Sequence, residues 1–423
     1  MSKRLGIIVG GGPAPGINGV ISAVTLAALN QGWEVLGFRE GFKWLVRGDT
    51  NHIWRLTADD VSGIYGKGGS ILGTARVNPA KSEDDMARVI ETFNGLGLDY
   101  LVTIGGDDTA YSGSKVYSKA GGTIRVAHVP KTIDNDLPLP PAVPTFGYET
   151  ARQVGVNLVN NLNEDARTCG RWFLVVSMGR AAGHLALGIG KAAAAAVTII
   201  PEEFGNAEPT LDGIADIILG SILKSKALGR DYGVAVMAEG LVEAIGEKGL
   251  GAMSEGQLAR YGKIERDPHG NLRMAEVDFG RMIKDRVADK LRELKLSVSL
   301  TSKDIGYELR CADPVAFDAE YTRDLGHSAV RFLLSPESGK YGAIISLVEG
   351  KTRPLPFETM LNPATKRMQT RRVDISSEGF ECAMRFMTRV EKADIEDPAR
   401  LAKLAAAANL DPAAFKARFA GSV

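Results

Sequence analysis

The sequence predicts an α/β fold: two Rossmann-like parallel-sheet domains with helices on both faces, plus a helical C-terminal extension. Three observations lead there. Short β-branched runs alternate with segments of helical period along most of the chain. At 423 residues the chain is too long for one core. A Pro-rich stretch, LPLPPAVP at 137–144, interrupts the alternation and marks a crossing between two sheets.

Leu5 to Val9, Leu101 to Ile104, Ile124 to Val129, Phe173 to Val176, Val197 to Ile200 and Val234 to Met237 read as buried strands, because they are short, apolar and bounded by turn residues. Ile17, Val20, Ile21, Val24 and Ala28 give one helix face, and Leu211, Ile214, Ile218 and Ile222 give another. Residues 1–146 and 147–310 are the two expected α/β domains, with an insertion in the polar, Gly-rich stretch 243–270. Residues 311–423 are a returning segment and a tail. After Gly350 the chain is expected to turn helical and to pack on the outside, as LAKLAAAANLDPAAF at 401–415 suggests.

Acidic and basic residues balance at 51 each, which argues against a nucleic-acid or membrane-surface protein. The three cysteines, Cys169, Cys311 and Cys382, have no CxxC spacing and no nearby histidine pair, so neither a disulfide framework nor a zinc site is expected. MSKRLGIIVGGG runs straight into a strand and a glycine turn. A cytoplasmic protein is the expectation.

In open α/β sheets, ligands bind beyond the C-terminal strand ends, and the polar residues of interest cluster there. GGGPAPGIN at 10–18 is either a tight turn or a phosphate cradle opening onto a helix N-terminus. It has no GK[ST], and Pro15 breaks the GxGxxG spacing. GGDDT at 105–109 is either a solvated loop capping a helix through Asp108 or Thr109, or a place for Asp107 to hold Mg²⁺. In VPKTIDNDL at 129–137, an Asx-type turn accounts for one aspartate but not for two with a lysine. The functional reading has Asp134 take the proton of a substrate hydroxyl and Lys131 meet charge on a leaving phosphate. Arg171 precedes SMGRAAGH at 177–184, Glu239 closes GVAVMAEG, and Tyr307 and Arg310 stand in GYELR, all near strand ends.

GGGPAPGIN, GGSILGTAR, GGDDT, PKTIDND, MGR and GYELR, in this order, resemble the phosphofructokinase family and its diphosphate-using branch, over about Leu5 to Pro314. The resemblance implies phosphoryl transfer from diphosphate to the 1-hydroxyl of fructose 6-phosphate, reversibly, with Mg²⁺. It implies Asp134 as general base, Thr132 and Asp136 beside it for sugar and metal, and Asp107 as the Mg²⁺ ligand. Gly11, Gly12, Arg76, Asp108 and Lys131 are implied for diphosphate, and Met178, Gly179, Arg180, Glu239, Tyr307 and Arg310 for the sugar phosphate. Arg171 matches an arginine that reaches a neighbouring subunit's 6-phosphate, which implies a homodimer or homotetramer.

Asp108 and Lys131 replace glycines of the ATP-using members, and Tyr307 replaces a histidine; all three are marks of a diphosphate donor. Ser22 and Leu26 stand where bacterial ATP enzymes carry effector-binding arginines, so that regulation is not expected. The alternative within the family is an ATP-dependent 6-phosphofructokinase. Outside it stand a dehydrogenase using Glu40 for a ribose, which leaves PKTIDND unexplained, and a non-catalytic regulatory paralogue, which would be expected to lose the aspartates.

Overall fold

The computed structural model describes residues 2–205, 207–250, 253–262, 277–364 and 368–422. Two compact units divide the chain: Met1–Val154 with Tyr307–Arg371, and Gly155–Gly306 with Arg372–Val423.

The first unit is built on a seven-stranded sheet. Its strands are β1 (Arg4–Val9), β2 (Glu34–Phe38), β3 (Ile53–Leu56), β4 (Tyr100–Gly105), β5 (Arg125–Pro130), β10 (Ala343–Val348) and β11 (Lys351–Pro356), in the order β11-β10-β5-β4-β1-β2-β3. The inner pairs are parallel, and β3 and β11 run antiparallel at the edges. One face is covered by the helices Ile17–Leu29 and Ala316–Leu334, whose Ile17, Val20, Ile21, Val24, Leu325 and Leu333 are fully buried. The helices Glu83–Gly95 and Asp107–Lys119 supply Met86, Val89, Phe93 and Val116 to a separate core on the other. The chain leaves β1 towards β2 and leaves β4 towards β5, so the strand order reverses between β1 and β4. A crevice opens at such a switch point.

The second unit has four parallel strands, β6 (Arg171–Ser177), β7 (Val197–Ile199), β8 (Gly233–Ala238) and β9 (Ser299–Ile305), in the order β7-β8-β6-β9. Its core joins Leu174, Ile214, Ile218 and Ile283 to Leu404, Ala405, Phe415 and Phe419 from the tail.

The α/β class and the parallel sheets agree with the sequence reading, and several local expectations need correction. The Pro-rich stretch is not the crossing, because Leu137, Leu139 and Val143 are buried in the first unit's core. The crossing lies within the helix Tyr148–Cys169. Gly240–Gly249 is helical, with one break at Gly246, and Leu241, Val242 and Ile245 enter the core, so the start of the expected insertion belongs to the domain. Residues 251–252 and 263–270 of that stretch lie outside the described residues. The chain after Gly350 forms β11 before it turns helical. The tail helices fill the second core rather than covering its outside. No helix among the described residues is long and apolar enough to cross a membrane.

Candidate active site

The Gly10–Gly16 loop follows β1 and the Gly105–Thr109 loop follows β4, so the two flank the switch point of the first sheet. The first loop is tied by its backbone to β4 and to the 74–75 segment. Gly10 N donates to Ile104 O at 2.9 Å, and Gly11 N donates to Ala75 O at 3.0 Å. Thr74 donates its hydroxyl to Gly11 O at 2.7 Å. Gly11 has φ +81°, a left-handed conformation that favours glycine.

Three cations converge on this loop. Lys131 is buried, and its ammonium donates to the carbonyl of Gly12. A side chain at Gly11 would bring its Cβ to 3.2 Å from Lys131 Nζ. One at Gly12 would lie 3.0 Å from Arg310 Nη1 and 3.7 Å from Arg76 Nη2. Burial lowers the Lys131 pKa to about 8, against the charge of Asp134, while Arg310 and Arg76 push it down further. Arg310 Nε is closed off from solvent with no hydrogen-bond partner among the described residues. Clustered cations with a donor left over suit a multiply charged anion.

The turn after β5 holds the carboxylates. The amide of Lys131 donates to Gly105 O at 2.8 Å, which ties the turn to the β4 loop. Asp134 N donates to the Thr132 hydroxyl at 3.0 Å. Asn135 adopts φ +56°, so the chain reverses between the two aspartates. Thr145 fixes the reversal, donating from its amide to Asn135 Oδ1 at 3.0 Å and from its hydroxyl to Thr132 O at 2.7 Å. Burial and then the charge of Asp107 push the Asp136 pKa up. That mutual charge makes Asp107 and Asp136 a pair a cation would relieve. Among the described residues no group of three or more His, Cys, Asp or Glu could hold a metal. Two carboxylates completed by phosphate and water are ordinary for Mg²⁺.

Asp107 and Asp108 open the helix Asp107–Lys119 and are exposed. Asp108 accepts from Asn78 Nδ2 at 3.2 Å, and Asn78 accepts in turn from Ser112 at 3.1 Å. Beneath the loop, His128 is fully buried between Thr103 Oγ1 at 2.9 Å and Gly105 O at 3.0 Å. A carbonyl only accepts, so Nε2 carries the proton and Nδ1 accepts from Thr103. Burial drives the His128 pKa down to about 3, and the Lys131 charge adds to that against the Gly105 bond.

In the second unit, Glu239 at the end of β8 accepts from Gly179 N at 3.3 Å and from Arg180 Nε at 3.2 Å. Met178 N donates to Ile305 O at 3.0 Å. Met178, Gly179, Arg180 and Glu239 are thus gathered at the C-terminal ends of β6 and β8. Arg171 is not with them. It begins β6, paired to Asp165 at 3.4 Å, six residue steps or roughly 20 Å from Ser177. Tyr307 and Arg310 join the first unit, with the guanidinium 4.6 Å from the ring centre. Arg310 therefore faces the Gly12 loop, and Tyr307 is largely exposed.

The sequence reading missed Asn78, Thr145, His128, Arg371 and Glu202. Glu202 is buried, and its Oε1 accepts from Gly183 N at 2.9 Å and Val373 N at 3.1 Å, anchoring the loop that carries Arg180. None of these sits in a glycine motif, and their partners are distant in sequence. Glu40, the candidate ribose ligand, is already engaged by Lys43 at 2.8 Å and Trp44 at 2.7 Å.

Residues 4–333 match the family described as Phosphofructokinase. The chain belongs to the phosphofructokinase family. Among its relatives in that family, the pyrophosphate--fructose 6-phosphate 1-phosphotransferase of Thermotoga maritima is 51% identical over 99% of this chain and 98% of its own. The Naegleria fowleri protein of the same description is 49% identical over 96% and 92%. The fold resembles that of the pyrophosphate-dependent phosphofructokinase from Marinobacter aquaeolei, with TM-score 0.66, 18% identity and 92% of each chain covered. It also resembles phosphofructokinase from Saccharomyces cerevisiae, with TM-score 0.66 and 22% identity; 85% of this chain spans 45% of that longer one. The tail beyond residue 333, including Arg371 and Val373, lies outside the family match.

Proposed function

We propose that this phosphofructokinase transfers a phosphoryl group reversibly from diphosphate to the 1-hydroxyl of fructose 6-phosphate, giving fructose 1,6-bisphosphate and phosphate, a step of glycolysis and gluconeogenesis. The observation that carries this reading is the convergence of Lys131, Arg76 and Arg310 on Gly11 and Gly12, with Asp134 on the same turn as Lys131. The descriptions of the Thermotoga maritima and Naegleria fowleri relatives support it.

In the forward direction Asp134 takes the proton of the 1-hydroxyl as that oxygen attacks phosphorus, and the bond to the departing phosphate breaks. The charge that collects on the departing phosphate is met by Lys131, a cation that the Gly12 carbonyl holds in place without neutralising it. Arg76 and Arg310 clamp the remaining oxygens, with Gly11 and Gly12 allowing close approach. Asp107 and Asp136 would hold Mg²⁺, which when bound neutralises diphosphate oxygens. To the sugar phosphate we assign Thr132, Met178, Gly179, Arg180, Glu239 and Tyr307. Asp108 crowds the place a larger donor would need.

Arg171 lies at the far end of β6 from Arg180, so it serves a neighbouring copy's 6-phosphate, and the working form is a homodimer or homotetramer. The location is the cytoplasm, which suits three exposed free cysteines. The test is formation of fructose 1,6-bisphosphate by the purified protein with Mg²⁺ and either diphosphate or ATP. Turnover with diphosphate is expected; a preference for ATP would overturn the assignment of the donor.

A further inference from the structure

Arg371 lies in TRRVD at 370–374, beyond the residues matched by the family, and nothing in its local sequence marks it. Yet its backbone and side chain both bond to the turn that carries Asp134 and Asp136. Its amide donates to Asp136 O at 2.7 Å. Its Nε donates to Asn135 O at 3.0 Å, its Nη1 to Val143 O at 2.8 Å, and its Nη2 to Asn135 Oδ1. One planar side chain thus grips both the carbonyl and the side chain of the left-handed residue between the two aspartates. It also ties that residue to the Pro-rich stretch behind it.

A non-glycine residue at positive φ persists only when its surroundings over-determine it. Asn135 is held there by Thr145 on one side and Arg371 on the other. All three guanidinium nitrogens donate to the turn or to the stretch behind it. Their role is to hold the turn rather than to reach for a substrate.

We propose that Arg371 is a positioning residue for phosphoryl transfer: it locks Asn135 in its left-handed conformation and thereby sets the mutual placement of Asp134 and Asp136. This rests on the function proposed above. The tail is then part of the catalytic apparatus, although the family's matched region ends well before it. Of the sugar-phosphate residues only Thr132 shares this turn, and Met178, Gly179, Arg180 and Glu239 are carried by other strands, so removing Arg371 acts chiefly on turnover and little on sugar affinity. A lysine keeps the charge but lacks the fork that spans carbonyl and side chain.

The experiment is steady-state kinetics of wild type, Arg371→Ala and Arg371→Lys with diphosphate and fructose 6-phosphate, alongside thermal unfolding. Folded Arg371→Ala is expected to lose about 10- to 100-fold in kcat, the scale for residues that orient catalytic groups, with KM for fructose 6-phosphate within about threefold of wild type. Arg371→Lys shows the same split, and guanidinium ion added at millimolar concentration partly restores the alanine variant. A wild-type kcat in folded Arg371→Ala, or a rise in KM with kcat unchanged, overturns the proposal. If the alanine variant does not fold, the lysine variant decides by the same split. Failure of the proposed function itself would appear differently, as no diphosphate turnover in the wild type.

Discussion

Thr109 occupies the space that a side chain on Gly10 would need: a Cβ there would sit 2.3 Å from Thr109 Oγ1. The same holds at Gly105, where the distance is again 2.3 Å. The buried threonine therefore keys the β1 loop to the β4 loop, and the two glycines are required by packing as much as by a ligand. Gly105→Ala should cost at least tenfold in kcat/KM, and replacing Thr109 with alanine in the same chain should recover part of it. A double-mutant cycle measures the coupling; simple additivity would show that the threonine is not the obstacle.

Stability should depend on His128. Its folded pKa of about 3 lies far below the unfolded value of about 6.5, so between those values the unfolded chain binds a proton that the native chain refuses. The contribution is therefore complete above pH 6.5 and is lost as the pH falls towards 3, at up to about 1.4 kcal/mol per pH unit. Denaturant unfolding from pH 7 to 5 should show a shallower decline in His128→Gln than in wild type. Equal slopes would mean that other groups govern the acid limb.

Donor choice should rest on Asp108. A second negative charge about 4 Å away costs about 4 kcal/mol at an effective dielectric near 20, and half of that exceeds a decade in rate. Asp108→Gly should raise the ATP-to-diphosphate ratio of kcat/KM more than tenfold. Asn78→Ala, which frees the Asp108 carboxylate from its tether, should move the ratio the same way by less. An unchanged ratio in Asp108→Gly would remove the residue from donor selection.

Sites built from two copies should be separable. On the proposed assignment of Arg171 to a neighbour's sugar-phosphate site, Arg171→Ala and Asp134→Ala chains, each expected to be inactive alone, should regain activity after subunit exchange. Absence of recovery in verified mixed oligomers would count against the shared site.

The tail should be needed for the second unit to fold. Phe415 and Phe419 are fully buried, with ring centres 4.5 Å apart. Phe415→Ala should destabilise by about 3–5 kcal/mol, read as a lowered denaturation midpoint. A loss under 1 kcal/mol would mean the tail merely leans on the core.

What could be read in the chain before folding was whatever local chemistry requires. The lysine and two aspartates of PKTIDND exceed what a plain turn needs, so their place at a strand end pointed to a site, whereas GGGPAPGIN left a tight turn and a phosphate cradle both open. Buried strands such as LGIIV are apolar along their whole length, because a parallel strand covered on both faces has no polar side, and short apolar runs between turn residues marked them. β3, β9 and β11 escaped notice because IWRL, SLTSKDI and KTRPLP are partly exposed and mix polar residues among apolar ones, and β10 was passed over although AIISLV is largely apolar and mostly buried. The Ala-rich tail showed its helices but not their place, since a helix face does not name its partner.

Sequence by itself determined the strand-end loops, the residue types in them and, through six motifs in order, the family resemblance. Tertiary structure alone decided which groups meet. Lys131 reaches the Gly12 carbonyl from 119 positions away, and Arg371 reaches Asn135 from 236. Glu202 binds Val373 across 171. Such pairings leave no trace in local periodicity, because each is made by segments that only the folding of their own unit brings together. Arg310 shows the same limit: its motif marked it as a binding residue, but only the return of the chain at Tyr307 to the first unit placed its guanidinium on the glycine loop.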